Sequence, residues 1–419
     1  MTREERYILE HLINTYEKSK SFKEDTDTTK RILATFYGKG NGRFSKYIIE
    51  DFELKTAYNK ACITLREESL IDFDWLRGNT NNIIEKVWLN KENIQLAYKK
   101  INRVPKADYL LSVITILNDY SLKLKSGWIL DCIKEWIKSI ETKRTVGNFI
   151  PSDIQEIKEY LDVIVGVYNL NGTEILERVF SQNVLGNSKA FEKTYRNRLI
   201  SMIKKNLDSD MDFDKISDKE VLELVGIVRY PEQISFCGDL SLESTNGGKI
   251  INFKAMTNGA YINAKDVDMF NFKIGDSVKR IITIENMANY YDYVTTKKIS
   301  DEIVIFHSGC YSPSKRKFFK KITACSNSQI EFHHWGDIDY GGFSMLKRLR
   351  IEINDKYKAM FMGKQDLMKH ELLASEFDSS YAEKLKTLLQ CNIIKDCHSC
   401  IEYMLEKNIR LEQEAMIIY

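Results

Sequence analysis

The chain has 419 residues, of which 43% are hydrophobic and 29% charged, and its formal net charge is +2. This length allows two or three domains with a core each, and the composition excludes a disordered or fibrous chain. A charge so close to zero excludes a globally basic surface, so any contact with nucleic acid depends on local patches.

The N-terminal sequence and the lengths of the apolar stretches indicate where in the cell the protein is expected. The first 20 residues carry no apolar block of the kind that a signal peptide needs. No window approaches the ~18 uncharged apolar residues of a membrane span. We therefore expect a cytoplasmic protein with no membrane partner.

Eight cysteines are spread over the chain, and we expect core residues rather than disulfides, because thiols stay reduced in the cytoplasm. They are Cys62, Cys132, Cys237, Cys310, Cys325, Cys391, Cys397 and Cys400. Cys391, Cys397, His398 and Cys400 form an alternative zinc site. Structural zinc usually takes two well-separated pairs of ligands, which argues against that alternative.

Residues 1–95 predict N-terminal helices and a winged-helix-like domain. The first 40 residues have a polar, helical pattern that ends in the glycine-rich sequence GKGNGR, a candidate linker. A helical run over 44–68 precedes two short strands, 69–76 and 81–90. In a winged helix, one helix lies in a DNA groove and the hairpin touches the backbone. The candidate phosphate contacts are Arg66, Arg77 and Lys86, and packing of the hairpin on a neighbouring domain is the alternative.

Residues 96–210 predict a helical region with a basic helix. Apolar residues recur at helical spacing over 107–124, 127–140 and 153–170, and Ser152 is placed to cap the last of these helices. The segment 177–205 ends in a helix whose cations could follow a phosphate backbone, and a solvated helix face is the alternative. These cations are Lys189, Lys193, Arg196, Arg198, Lys204 and Lys205.

Residues 211–274 predict a β-rich connector. From Val221 onwards the pattern indicates strands, and Asn246-Gly247-Gly248 between two alternating runs is typical of a hairpin.

Residues 275–419 alternate between strands and helices, which predicts a parallel sheet. One strand ends at Glu285, and a second ends near His307 and Ser308. Pro313 is placed to begin a helix, and a third strand leads to Asp337 and Asp339. The whole chain is therefore expected to be a multidomain protein of α/β and α+β class.

Three carboxylates fall just beyond strand ends, where parallel sheets bind ligands. Glu285 follows one strand, and Asp337 and Asp339 follow another, two residues apart and on the same side of an extended backbone. Such carboxylates repel one another unless a cation lies between them. Mg²⁺ or Mn²⁺ fits, because hard divalent ions prefer oxygen ligands and can activate water against a phosphoryl group. Gly341 and Gly342, which follow these acids, allow the backbone to come close to a phosphate.

A second basic patch lies in the same segment, on the helix that begins at Pro313. Its cations are Lys315, Arg316, Lys317, Lys320 and Lys321. A basic helix beside an acidic metal site suits a phosphodiester substrate, since it neutralises the flanking phosphates. His333 and His334 precede the acids on the strand and face opposite ways. One of them is a candidate phosphate contact, and a buried, hydrogen-bonded imidazole is the alternative.

These motifs resemble a known family. The order of a glutamate at one strand end and Asp-x-Asp at a later one is similar to the Toprim domain of topoisomerases and primases. HHWGDIDYGGFSMLKRLR resembles the signature of the JetD family of Wadjet-type anti-plasmid systems, and GNSKAFE at 186–192 and LEQE at 411–414 agree with it. The resemblance is specific over residues 275–419 and looser over residues 30–260.

The resemblance implies a homodimeric Toprim nuclease, related to the A subunit of topoisomerase VI, that cuts double-stranded DNA presented by an SMC-like ATPase complex. It places Glu285, Asp337 and Asp339 at the metal, with Glu412 or Glu414 as a further ligand, Glu414 being the one we select. The topoisomerases use a tyrosine nucleophile, whereas JetD-like proteins hydrolyse with water. Tyr47 and Tyr58 lie in the winged-helix segment but in no catalytic motif.

Two functions follow as hypotheses. The first is a Mg²⁺-dependent or Mn²⁺-dependent DNA endonuclease of an anti-plasmid system. The alternative is a catalytically silent subunit that binds DNA or the SMC-like complex, and the intact set of three acids argues against it. A primase-like polymerase is a third possibility, and it is disfavoured because no zinc module precedes the acidic segment.

Overall fold

The computed structural model describes residues 1–24, 31–38, 43–207, 216–245, 248, 250–309 and 312–417. The chain divides into two compact units, Met1–Leu161 and Asp162–Tyr419. The finer four-domain division stays a prediction. The predicted linker at 38–43 and the turn at 246–248 fall largely outside the described residues. Among the described helices, none is both long and apolar enough to cross a bilayer.

The first unit is built from helices around a small antiparallel sheet with strand order β1-β3-β2. The strands are β1 (Leu33–Thr35), β2 (Ile71–Trp75) and β3 (Ile84–Leu89). The helices are α1 (Arg3–Lys18), α2 (Lys20–Lys23), α3 (Phe52–Glu67), α4 (Ile94–Lys100), α5 (Lys106–Ser121) and α6 (Trp128–Lys143). The next helix, α7 (Ile154–Leu170), contains the residue at which the two units divide.

Alternating burial explains the sheet of the first unit. In β2, Ile71 and Phe73 point into the core while Asp72 and Asp74 face solvent, as expected of a half-buried strand. The helix followed by a hairpin is therefore confirmed, although α3 begins at Phe52 rather than near residue 44. The expectation of helix up to residue 40 is wrong at β1, which pairs with β3. Such long-range pairing overrides local helical propensity.

The second unit is organised by a six-stranded mixed sheet with the order β14-β13-β11-β12-β6-β9. Its strands are β6 (Gln233–Cys237), β9 (Ala260–Asn263), β11 (Arg280–Ile284), β12 (Glu302–Phe306), β13 (Glu331–Trp335) and β14 (Lys358–Ala359). The four strands from β14 to β12 are parallel, whereas β6 and β9 are antiparallel additions. Ile281, Ile282 and Ile284 of β11 are fully buried, because helices and loops cover both faces of a parallel sheet.

Shorter strands and helices complete this unit. The remaining strands are β4 (Ile175–Leu176), β5 (Ile227–Val228), β7 (Leu240–Ser244), β8 (Ile250–Asn252), β10 (Phe270–Ile274), β15 (Ser375–Glu376) and β16 (Ile409–Arg410). The helices are α8 (Glu177–Leu185), α9 (Arg196–Asn206), α10 (Asp218–Leu224), α11 (Met287–Asp292), α12 (Pro313–Cys325), α13 (Tyr340–Glu352), α14 (Lys364–Lys369), α15 (Ser379–Leu388) and α16 (His398–Lys407). The mixed α/β class is thus confirmed at this level of description.

Most local predictions for the second unit are confirmed. Pro313 lies in the first turn of α12, and β7 and β8 pair antiparallel on either side of the predicted hairpin turn. Residues 221–224 are helical rather than extended, since they belong to α10, which begins with a capping box of Ser217 and Glu220.

The N-terminal cap of α7 differs from the predicted one, Ser152. Asp153, not Ser152, accepts hydrogen bonds from the first turn, from the N–H groups of Gln155 (2.8 Å) and Glu156 (3.0 Å). Both residue types are good caps, and the carboxylate one position closer to the helix takes the bonds.

Candidate metal centre

The predicted acids lie at the carboxyl ends of two neighbouring parallel strands. Ile284 of β11 is directly opposite Trp335 of β13, so Glu285 and Gly336 follow at the same level of the sheet. The N–H of Glu285 donates to the carbonyl of Trp335 at 3.0 Å and extends the ladder by one residue. Asp337 and Asp339 then lie just above this edge of the sheet.

Three carboxylates converge there: one oxygen each of Asp337, Asp339 and Glu412 lies within 4.8 Å of the others. Asp339 is fully buried, Asp337 is half-buried and Glu412 is exposed. Such a set is open to solvent on one side and fixed on the other. Three carboxylate oxygens at this spacing suit a hard divalent cation that keeps some of its waters.

Two hydrogen bonds fix the aspartates. Asp339 caps α13, because its Oδ1 accepts from the N–H of Gly342 at 2.7 Å. Asp337 Oδ1 accepts from the N–H of Gln413 at 2.7 Å. Both bonds hold the carboxylates in place.

Gly342 serves this arrangement through its missing side chain. A Cβ atom at residue 342 would lie 2.1 Å from the carbonyl oxygen of Asp337 and 2.9 Å from its nitrogen. Only glycine therefore lets the first turn of α13 pack this closely on Asp337. The close contact that glycine allows at this position is therefore with the backbone of Asp337 in the same chain.

The C-terminal segment reaches the centre through a short β-bridge and a buried glutamine. Ile338 and Leu411 exchange backbone hydrogen bonds of 2.9 and 3.1 Å. The side chain of Gln413, which is fully buried, accepts from the N–H of Asn286 (3.0 Å) and donates to the carbonyl of Trp335 (3.2 Å). Its own carbonyl accepts from Asn289 Nδ2 at 2.8 Å. Gln413 thus connects the ends of β11 and β13 to the LEQE segment.

Of the two glutamates considered as a further ligand, Glu412 is the one that joins the aspartates. Glu414, the residue selected from the sequence, accepts a hydrogen bond from Asn286 Nδ2. The chain enters a 3₁₀ helix at Gln413–Met416, so residues 412 and 414 do not share a face as they would in a strand.

Glu285 lies beside this group rather than within it. Its carboxylate faces Gly336, and a Cβ atom built there would lie 2.6 Å from Glu285 Oε2 and 3.1 Å from His334 Nε2. Glycine at 336 therefore leaves a cradle that any other residue would fill. A cradle lined by an acid and an imidazole, next to three more carboxylates, fits a bound divalent cation.

Two buried histidines lie behind the acids. His334 and His307 have no exposed surface, and their ring centroids lie 5.3 Å apart. Burial lowers the pKa of His334 to about 3, and burial together with His334 lowers the pKa of His307 well below its ordinary value. Both rings are therefore neutral at neutral pH. His333 points the other way, is half-buried and pairs with Glu331.

The alternative zinc ligands do not converge. The group of Asp337, Asp339 and Glu412 is the one potential metal-binding set of three or more His, Cys, Asp or Glu residues within the described ranges. His398 Nε2 bonds to the carbonyl of Cys391 at 3.1 Å. Burial raises the pKa of both Cys397 and Cys400 to about 12, which keeps these thiols protonated.

Tyr47 and Tyr58 are poor candidates for a nucleophile. The hydroxyl of Tyr47 donates to Asn59 Oδ1 (2.9 Å) and accepts from the N–H of Ile84 (3.1 Å). Burial raises the pKa of Tyr47 above its ordinary value and that of Tyr58 to about 12. Both side chains belong to the core of the first unit.

The cations of α12 divide into internal and exposed groups. Lys315 is buried, and its Nζ lies 3.0 Å from Glu232 Oε1 and 3.2 Å from the carbonyl of His307, so it is not placed to contact DNA. Lys321 donates to the carbonyls of Val267 and Phe270, at 2.6 and 3.0 Å.

The other three cations of α12 reach the surface. Lys317 and Arg316 pair with Asp268 (2.8 Å) and Glu352 (3.0 Å) respectively. Lys320 is exposed, as expected of a phosphate contact.

The other predicted DNA contacts are scattered. Near α9, Lys193 is exposed, Arg198 is half-buried, and Arg196 pairs with the buried Glu177 at 3.2 Å. In the first unit, Arg66 lies over the ring of Phe73 at 4.3 Å, and Lys86 pairs with Asp74 at 3.4 Å.

Sequence reasoning missed Gln413, Gly336 and Asn286. The signal for Gln413 was its place between two acids of the LEQE motif, but a glutamine there does not show where its amide points. Gly336 directly precedes Asp337, and only the position of the Glu285 side chain reveals why it must be glycine.

Comparison with known proteins identifies relatives. Residues 245–418 match the family model described as "Wadjet protein JetD, C-terminal". The chain is 25% identical to the Wadjet protein JetD of Bacillus cereus (strain Q1) over 413 residues, which cover 98% of each chain. The predicted resemblance to JetD is confirmed, and Glu285, Asp337, Asp339 and Glu412 all lie within the matched segment.

Proposed function

We propose that this JetD relative is a divalent-metal-dependent endonuclease that hydrolyses phosphodiester bonds in double-stranded DNA. We further propose that it acts as the nuclease subunit of a Wadjet-type anti-plasmid system. The observation that carries the nuclease proposal is the convergence of Asp337, Asp339 and Glu412 at the carboxyl end of a parallel sheet. The comparison with a Wadjet protein supports the place in that system.

The chemistry follows from the ligands. When bound, Mg²⁺ or Mn²⁺ polarises a phosphoryl oxygen and lowers the pKa of an attacking water. The protein supplies prepositioned ligands, since Gln413 and Gly342 already hold Asp337 and Asp339 by hydrogen bonds. The exposed Glu412 leaves the outer side of the centre open to a DNA phosphate. Fixed ligands lose little entropy on binding the substrate, which favours catalysis.

The finer fold assignments are part of this proposal. Parallel strands with acids after β11 and β13 support a Toprim-type catalytic domain. The helix α3 followed by the β2-β3 hairpin supports a winged-helix-like domain, with Arg66, Arg77 and Lys86 as backbone contacts. Homodimerisation and an SMC-like ATPase complex as partner follow from the family resemblance.

The test is a plasmid-nicking assay with and without Mg²⁺ or Mn²⁺, alone and with the products of neighbouring genes. We expect Asp337→Ala and Asp339→Asn to abolish cutting. Asp339→Asn keeps an oxygen for the N–H of Gly342 and so spares the cap of α13 while it removes a charge. Glu331→Gln is the matched control, because this exposed carboxylate lies at the opposite end of β13.

The outcomes separate the two hypotheses. Cutting that needs a divalent ion, survives Glu331→Gln and disappears in the aspartate variants supports the nuclease. Full cutting by both aspartate variants would exclude this centre. DNA binding that is indifferent to divalent ions, with no nicking under any condition, would favour the catalytically silent binding subunit.

A further inference from the structure

One imidazole nitrogen next to the acidic centre has no hydrogen bond. His334 is fully buried on β13, and its Nδ1 lies 2.9 Å from Thr283 Oγ1 on the neighbouring strand β11. Its Nε2 has no hydrogen-bond partner among the described residues. Buried polar atoms are nearly always bonded, so this nitrogen calls for a ligand.

Thr283 determines which form of the ring faces the centre. Its hydroxyl has a single hydrogen and also lies 3.2 Å from the carbonyl oxygen of His333, which can only accept. When the hydroxyl donates to that carbonyl, His334 Nδ1 must carry the proton and donate to Thr283 Oγ1. The lone pair is then on Nε2, which is the form that binds metals.

The lone pair faces a space that glycine keeps open. His334 Nε2 and Glu285 Oε2 lie 3.1 and 2.6 Å from the position of a Cβ atom at residue 336. Asp337, Asp339 and Glu412 form their group without Glu285. An acid and an imidazole thus lie together beside the set of three carboxylates.

We propose that His334 Nε2 and Glu285 hold a divalent cation of their own, next to the one held by Asp337, Asp339 and Glu412. The site takes a first-row transition ion in preference to Mg²⁺, because imidazole suits transition ions and Mg²⁺ prefers oxygen alone. Two adjacent cations are a recurring arrangement in phosphodiester cleavage. The inference rests on the proposed function only in that both assume a divalent centre.

The experiment uses Mn²⁺ as the probe and the full chain, freed of metal by a chelator. Electron spin-echo spectra of the Mn²⁺-loaded protein are expected to show coupling to ¹⁴N, which changes to ¹⁵N coupling when the histidines are ¹⁵N-labelled. This isotope exchange needs no variant, so a folding defect cannot obscure it. Titration calorimetry is expected to give two Mn²⁺ sites per chain.

Variants assign the nitrogen. His334→Asn is expected to remove the coupling and one Mn²⁺ site, whereas His333→Asn, on the opposite face of the same strand, is expected to keep both. Thr283→Val leaves the ring in place and is expected to weaken Mn²⁺ binding by about 10-fold or more, because the ring then loses the hydrogen-bond partner that orients it.

Two results would overturn the proposed site at His334. Absence of ¹⁴N coupling in the Mn²⁺-loaded wild type, or its survival in His334→Asn, overturns the proposal. A protein that shows the coupling but never cuts DNA refutes the nuclease function and leaves this site standing. Metal-dependent cutting without the coupling refutes the His334 site and supports the nuclease function.

Discussion

Gln413 is the residue on which the shape of the acidic centre most depends. Its buried amide bonds to the backbone after β11 and to the last residue of β13, and its N–H bonds to Asp337. We expect Gln413→Leu to leave the N–H of Asn286 unsatisfied, at a cost of about 1–3 kcal/mol. The carbonyl of Trp335 keeps the hydrogen bond from the N–H of Glu285. We also expect the affinity for Mn²⁺ to fall by about 10-fold to 100-fold, because ligand-orienting partners typically contribute that much.

The measurements are urea unfolding and titration calorimetry with Mn²⁺. Gln390→Leu is the matched control, since Gln390 is an exposed glutamine of the same unit. Unchanged stability and metal affinity in Gln413→Leu would show that the LEQE segment reaches the centre by other contacts.

The buried histidines predict a pH dependence of stability. The pKa of His334 is about 3 in the folded chain and 6.5 in the unfolded one, and the pKa of His307 is shifted in the same direction. Above pH 6.5 neither state of the chain holds these protons, so the full stability is present. Below it, the unfolded chain takes up protons that the folded chain cannot. The free energy of unfolding should fall by about 1.4 kcal/mol per pH unit for each such histidine.

Urea unfolding in the presence of a chelator, between about pH 7.5 and pH 5, measures this slope. His334→Leu is expected to reduce this slope by about 1.4 kcal/mol per pH unit, the contribution of one proton. A slope that stays the same in the variant would contradict the assignment of His334 as a neutral buried ring.

At the scale of residues, the sequence predicted where the two aspartates lie, because their place after a strand and their spacing of two residues are local properties. The choice between Glu412 and Glu414 was not local, since it depends on a 3₁₀ turn at the last strand bridge. Lys315 shows the same limit, because periodicity places it on a basic helix but does not reveal Glu232 beneath it.

The helix α13 positions Asp337 and Asp339 relative to each other, because its first turn contacts both residues. Gly342→Ala would bring a methyl group to 2.1 Å from the carbonyl oxygen of Asp337. We expect a loss of about 1–3 kcal/mol of stability, as overpacking usually costs, together with weaker Mn²⁺ binding. Circular dichroism, urea unfolding and calorimetry check this result.

Gly147→Ala is the control for that substitution, because a Cβ atom at residue 147 would meet nothing within 4 Å. We expect its stability to stay within about 0.5 kcal/mol of wild type, as surface substitutions usually do. Equal effects of the two substitutions would mean that the approach of α13 to Asp337 is not tight.

Elements of the second unit were predictable where the pattern was strong. The parallel strands β11 and β12 are mainly apolar, and α12 and α13 have clear starts at Pro313 and after Asp339. The sequence around α10 predicts a strand, because Val221 and Leu222 are apolar neighbours, but the capping box of Ser217 and Glu220 begins a helix there. Short elements of this kind depend on their caps more than on their periodicity.

For the molecule as a whole, the family match and the folded unit begin at different residues. The match begins at residue 245, whereas the compact second unit begins at Asp162. Two core strands lie in between: β6 pairs with β12 and β9, and β7 pairs with β10 and β8. Phe236 and Leu240 of this stretch are fully buried. Antiparallel pairing over such sequence distances is not visible in local patterns, which is why sequence reasoning described these strands only as a connector.

This topology predicts which fragment folds. A fragment of residues 150–419 keeps α7 and both core strands, so we expect one cooperative urea transition and Mn²⁺ binding equal to that of the full chain. A fragment of residues 245–418 loses β6 and β7, which uncovers the edges of β12 and β10 and the apolar residues against them. Uncovered edges pair with other chains, so we expect this fragment to aggregate in size-exclusion chromatography. A monomeric 245–418 fragment with a cooperative transition and full Mn²⁺ affinity would show that the acidic centre does not need the strands before it.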